Sequence, residues 1–189
     1  MKHLLSFVIG AAVVSLLAGG CAAPRYETPQ PLTAETVKSL DGNISANVPE
    51  GWFAATDSVV APQLLLWFVR DDYAATMGLR EINVEPDERK RIEEDGIKAV
   101  AEVSLALKRL HSPDGFRIVA EPETFKRRGE KYASYEYAPN GKDLVRVIVF
   151  AGKGRYYEFS TLPLSERGMP EDTSRLFSTQ QSVFVSMRW

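Results

Sequence analysis

Among its 189 residues the chain holds one cysteine and two histidines. A single cysteine forbids any disulfide within the chain, whatever the redox compartment. His3 lies in the first few residues, which leaves His111 as the histidine of the body of the sequence. That scarcity argues against zinc sites and against hydrolases built on a thiol or a histidine base. No Gly-x-Ser-x-Gly elbow occurs, and "AGKGR" at 151–155 lacks the spacing of a phosphate-binding loop. Neither sign of charge dominates: 23 basic residues face 25 acidic ones, so nothing in the balance points to nucleic acid. The carboxylates that cluster, Asp71–Asp72 and Glu85, Asp87 and Glu88, lack calcium-loop spacing, and acidic groups are expected where a helix begins. No metal, cofactor or catalytic residue is assigned on this reading.

Long apolar runs are scarce too. The one that exists, Leu4–Leu17, is shorter than the ~20 residues a helix needs to cross a bilayer. It follows Lys2 and precedes Ala18, Gly19, Gly20 and Cys21, which is the layout of an export signal over residues 1–20. The segment resembles the lipobox of bacterial lipoproteins, with Ala18 where that family prefers leucine. The resemblance implies a diacylglyceryl group on Cys21, cleavage before it and acylation of the new amino terminus. Each buried CH₂ of such chains adds roughly 0.8 kcal/mol, so the anchor would be firm. Ala22, by the same resemblance, implies sorting to the outer membrane, facing the periplasm, in a Gram-negative cell. Residues 21–36 carry Pro24, Pro29 and Pro31 and few large apolar side chains, so they are expected to form an extended tether.

Residues 37–189 amount to one domain. Turn signals divide them legibly. Asp41-Gly42 parts "VKSL" from "ISANV", Asn140-Gly141 parts "YASYEYA" from "LVRVIVF", and Gly152-Lys153-Gly154 parts that strand from "RYYEFST". Arg128-Gly129 turns "FRIVAEPETFK" into "KYASYEY", which predicts a four-strand antiparallel meander over 116–162. "QLLLWFV" and "TMGLREINV", joined by Arg70-Asp71-Asp72-Tyr73, predict another antiparallel pair. "LVRVIVF" is apolar on both faces apart from Arg146, as a strand covered on both sides would be. Helical spacing of Ile92, Ala99, Val100, Val103, Leu107 and Leu110 predicts one long helix over 87–110 with Asp87 as its cap. Ser112-Pro113 stops it, and His111 suits its C-terminal end. Leu176, Val183, Phe184 and Met187 predict a second helix over 172–187, capped by Asp172 or Thr173. The fold class is α+β: an antiparallel sheet of hairpins, a long helix after the second hairpin, and a C-terminal helix packed on the sheet.

"ISANVPEGW" (44–52), "YASYEY" (132–137) and "VFVSMR" (183–188) resemble PsbP/Mog-like domains, with Met187 in place of the usual aromatic. The resemblance covers about residues 37–189. It implies a protein that binds partners instead of catalysing a reaction, and it transfers no partner-specific residue.

Two functions from different classes follow. One is a lipid-anchored, non-catalytic binding or assembly module with a protein partner in the envelope. The other is a carrier of a small hydrophobic ligand, a lipid or pigment, held in a sheet–helix pocket. For the first, the loop Arg70, Asp71, Asp72, Tyr73 is the candidate surface, since it sets opposed charges beside an aromatic ring at the end of an apolar strand. Lys126-Arg127-Arg128 is the densest basic cluster and suits anionic headgroups, an acidic partner or simply solvent.

Overall fold

The computed structural model describes Tyr26 and residues 29–55, 61–112, 114–162 and 173–189. The signal segment, Cys21 and Asp172 lie outside the described residues. Nine strands and three helices follow in the order β1 (Leu32–Lys38), β2 (Ser45–Pro49), β3 (Trp52–Ala55), β4 (Leu66–Arg70), β5 (Thr76–Ile82), α1 (Pro86–Asp95), α2 (Ile97–Leu110), β6 (Arg117–Arg127), β7 (Glu130–Ala138), β8 (Val145–Gly152), β9 (Arg155–Leu162) and α3 (Thr173–Ser186) among the described residues.

The expected meander forms as β6 to β9. Arg128 and Gly129 both take positive φ, 50° and 85°, as do Lys153 and Gly154, so each pair makes a tight turn whose twist suits the flanking strands. The meander does not stand alone. Strands β3 to β9 join in one antiparallel sheet of order β3-β4-β5-β9-β8-β7-β6, while β1 and β2 pair separately. β9 therefore inserts beside β5, with Thr76 opposite Leu162 and Ile82 opposite Tyr156.

The two faces of this sheet collect different helices. On one, Val145, Val147 and Val149 of β8 and Tyr135 and Tyr137 of β7 meet Ala99, Val100 and Leu105 of α2. On the other, Ile148, Phe150, Tyr157 and Phe159 meet Phe177, Val183 and Phe184 of α3 together with Ile44, Ala46 and Val48 of the β1–β2 hairpin. Alternation along each strand sends neighbours to opposite faces, which is why β8, apolar on both faces apart from Arg146, is buried from Val145 to Phe150.

Three expectations change. The single helix over 87–110 is two helices, because Gly96 adopts φ 71° and ψ −150°, a conformation that ends α1 before α2 starts. Its start is also different: Glu85 occupies the capping position without a side-chain bond, Pro86 leads the first turn, and Asp87 and Glu88 lie inside that turn. The third change concerns the expected tether. Its end is structured: Leu32–Lys38 is a strand, and Tyr26 packs on the core. The Tyr26 ring meets Phe177 edge to face at 5.1 Å, its hydroxyl donates to Glu136 Oε1 at 3.1 Å, and the Arg146 guanidinium lies 4.8 Å from the ring centre. Gln30 N–H adds a bond to Ser182 Oγ on α3 at 2.9 Å. Half-buried, that one ring ties the segment to the core although the stretch has few large apolar side chains.

Candidate functional site

The Arg70–Tyr73 loop is the turn between β4 and β5. Tyr73 N–H closes it by donating to Arg70 O at 2.8 Å, with Tyr73 itself at φ 56°. Arg70 grips Asp72 with a fork of two bonds, Nε to Oδ1 at 2.6 Å and Nη2 to Oδ2 at 2.8 Å, and Asp72 Oδ1 also accepts from Ala74 N–H. These bonds from Arg70 hold the Asp72 carboxyl below the usual carboxylate range. The opposed charges expected to meet a partner are thus closed on each other and shape the turn. What remains outward is Asp71, whose N–H ties the loop to Gly51 O at 3.0 Å, and Tyr73, 61% exposed.

Tyr73 is joined by a residue that the sequence reading does not single out. Phe53 of β3, 38% exposed, meets it edge to face with ring centres 5.8 Å apart. β3 is the edge strand of the seven-stranded sheet, and its register on β4 sets Phe53 opposite Val69. Their chain neighbours Trp52 and Asp72, not the pair itself, line a groove of about 430 Å³ with Gln30, Pro31, Glu50, Arg70, Arg175, Leu176 and Thr179. The groove joins the loop, the Pro-x-Gly-Trp turn and the start of α3. Trp52 was legible as part of a motif, whereas Phe53 and Arg175 carried no sequence signal, because nothing local says that β3 and α3 converge here.

Two buried polar clusters lie elsewhere. On the α2 face, Glu158 is 2% exposed. It accepts from Ser104 Oγ and Lys108 Nζ, each at 2.5 Å, and pairs with Arg80 Nε. Ser104 Oγ in turn meets Tyr135 OH at 2.7 Å. Burial pushes the Tyr137 hydroxyl up to about 12, pushes that of Tyr135 well above its ordinary value, and pulls Lys108 down against the opposing pull of Glu158. A carboxylate whose oxygens already receive a serine and two cations is occupied as an acceptor, so its geometry is that of a brace between α2, β5 and β9, not of a base waiting for a proton. On the α3 face, Arg146 donates to Phe177 O, Gln180 Oε1 and Gln181 Oε1 at 3.3, 3.4 and 2.9 Å. Burial lowers its guanidinium to about 10, against the charge of Glu136, which still leaves it cationic at neutral pH.

The remaining candidates are peripheral. His111 Nδ1 donates to Leu107 O at 2.8 Å, so its ring caps α2. Among the described residues, no three His, Cys, Asp or Glu side chains converge as metal ligands, and no helix is long and apolar enough to cross a membrane. Large side chains fill the interior between the sheet and α3: Phe68, Phe150, Phe159 and Phe177 are fully buried there.

Fold and groove together define an α+β module with helices on both faces of an antiparallel sheet and an aromatic-edged rim at one sheet edge. Similar solved structures include cyanobacterial PsbP (CyanoP) from Synechocystis, at 14% identity and TM-score 0.49, covering 82% of this chain and 91% of that one. Another is LpqN, involved in cell envelope biogenesis of Mycobacterium tuberculosis, at 14% identity and TM-score 0.48, covering 81% and 88%. A third, from Bacteroides thetaiotaomicron, has 17% identity and TM-score 0.35 and covers 84% of this chain and 48% of that one. No protein-family model matches the sequence. No curated protein matches it either.

Proposed function

We propose that this chain is a lipid-anchored module of the cell envelope that works by binding a protein partner and not by catalysis. The signal-like residues 1–20 export it, and Cys21 carries the lipid; in a Gram-negative cell Ala22 directs it to the outer membrane, facing the periplasm. The observation that carries the binding reading is the exposed Phe53–Tyr73 pair on the edge strand and its neighbouring turn. Neighbouring exposed aromatic rings on a rigid sheet edge offer a partner apolar area at low cost in side-chain entropy. Asp71 beside them supplies a charge that selects among partners. The carrier reading is disfavoured, since fully buried phenylalanines fill the sheet–helix interior that its ligand would need.

The test is a crosslinked pull-down from native membranes with Phe53→Ala, Asp71→Ala and Tyr73→Ala combined. Asp72 is left intact, because it holds the turn. Recovery of the partner should drop several-fold while the melting temperature stays close to the parent's. Undiminished recovery of every crosslinked partner would rule this surface out.

A further inference from the structure

At the C-terminal end of α3, the β6–β7 turn and the last residues of the chain border an open cavity of about 390 Å³. Its floor is aromatic. Tyr132 meets Phe184 edge to face at 5.0 Å, and Trp189 lies within 28° of parallel to Phe184 with ring centres 6.5 Å apart. Its rim is cationic, with Arg127 and Arg128 from the turn and Arg188 from the terminal segment, against Glu130 as the acidic side chain of the lining. None of the ion pairs among the described residues uses these three arginines. Arg127 Nη1 is shut off from solvent and has no hydrogen-bond partner among the described residues. Burial and the adjacent charge of Arg128 both press on that guanidinium. Three guanidiniums gathered on one rim, none of them in an ion pair among the described residues, suit the oxygens of a phosphate.

The second observation is the seat of Tyr26. It docks against Phe177, seven residues before Phe184 on the same helix, which is about 10 Å along α3. Cys21 lies five residues upstream of Tyr26, and five residues of fully extended chain reach at most about 18 Å. A domain of this size is roughly 40 Å across. An anchor on Cys21 therefore keeps the Tyr26 end of α3 near the bilayer.

We propose that the α3 side of the domain rests on the membrane and that the cavity rimmed by Arg127, Arg128 and Arg188 takes the phosphate headgroup of an anionic phospholipid. The proposal rests on the reading of Cys21 as the lipid-bearing residue. Trp189 suits the role, since indole rings favour the headgroup level of bilayers. The chain as a whole carries a net charge of −2, so the site orients the domain instead of adding to a general attraction.

Hydrogen–deuterium exchange on the mature protein bound to vesicles tests this. Vesicles of phosphatidylcholine with phosphatidylglycerol should slow exchange several-fold at residues 126–130 and 185–189 relative to phosphatidylcholine alone. Arg127→Gln with Arg128→Gln should erase the difference, and Lys98→Gln, on the α2 side, should leave it intact. Equal rates on both vesicles overturn the proposal. So does equal protection by dissolved inorganic phosphate over phosphatidylcholine, which would make this a site for free phosphate. Protection by poly-glutamate but not by anionic vesicles would give the site to an acidic protein. Flotation with plain phosphatidylcholine vesicles reports separately on the anchor: a protein that fails to float lacks the lipid, and its response to added phosphatidylglycerol vesicles still judges the headgroup site.

Discussion

Arg146 shows how much a single side chain can hold in this molecule. The sequence marks it as the one charged residue in an otherwise apolar strand, and the structure explains why it is tolerated: Gln180, Gln181 and the Phe177 carbonyl receive its guanidinium, and the Tyr26 ring covers it. Gln180 also donates to the carbonyls of Arg146 and Phe159, so the same residues pin α3 to β8 and β9. Truncating one member of such a buried set leaves the others without partners. Arg146→Met should therefore cost about 3–5 kcal/mol, read from the urea midpoint. Combining it with Gln181→Met should cost less than the two single changes together, because the amide left unpaired by the first is removed by the second. Additive losses would show that the two residues do not act as one network.

At the scale of elements, the break at Gly96 separates what periodicity can report from what backbone conformation decides. Apolar spacing across 87–110 continues through the break, since α1 and α2 both turn side chains toward the sheet, and so it reads as one helix. The break depends on a φ and ψ that glycine reaches and other residues avoid. A Cβ built at Gly96 meets nothing within 4 Å, so the backbone alone sets the cost of adding one. Gly96→Ala should destabilise by about 1–3 kcal/mol. A stability equal to the parent's in chemical denaturation would mean that the two helices can fuse without strain. Arg91 and Glu102, 2.8 Å apart, tie α1 to α2 across the bend and should keep the angle in the variant.

For the whole molecule, the consequence of the Tyr26 seat is that the N-terminal segment belongs to the fold. Composition alone predicts that residues 22–34 can be deleted without loss, as a tether with little to bury. The structure predicts the reverse. That deletion removes Tyr26, the Gln30–Ser182 bond, Leu32 and the first strands' pairing of Leu32 with Pro49. The melting temperature should fall clearly, whereas deleting 22–25 alone should leave it near the parent's. If both deletions melt like the parent, the segment is a tether after all.

What the sequence determines by itself is local in origin. Turn dipeptides and alternating apolar residues set the hairpins, helical spacing sets the stripes of α2 and α3, and the short apolar start with its small residues and Cys21 gives the expected address. The Arg70–Tyr73 turn was legible for the same reason, as a polar break between two strands. What only the tertiary structure decided depends on distant pairs. β9 lies against β5 although more than eighty residues separate Thr76 from Leu162. Tyr26 reaches Glu136 across 110 residues. Arg127 and Arg128 meet Arg188 and Trp189 around one cavity. Each of these depends on which surfaces the folded sheet and helices bring face to face, and residue order records no such neighbourhood. The fork that closes Arg70 on Asp72 is decided at the same level of detail, because spacing shows that two charges are near and only geometry shows that they are spent on each other.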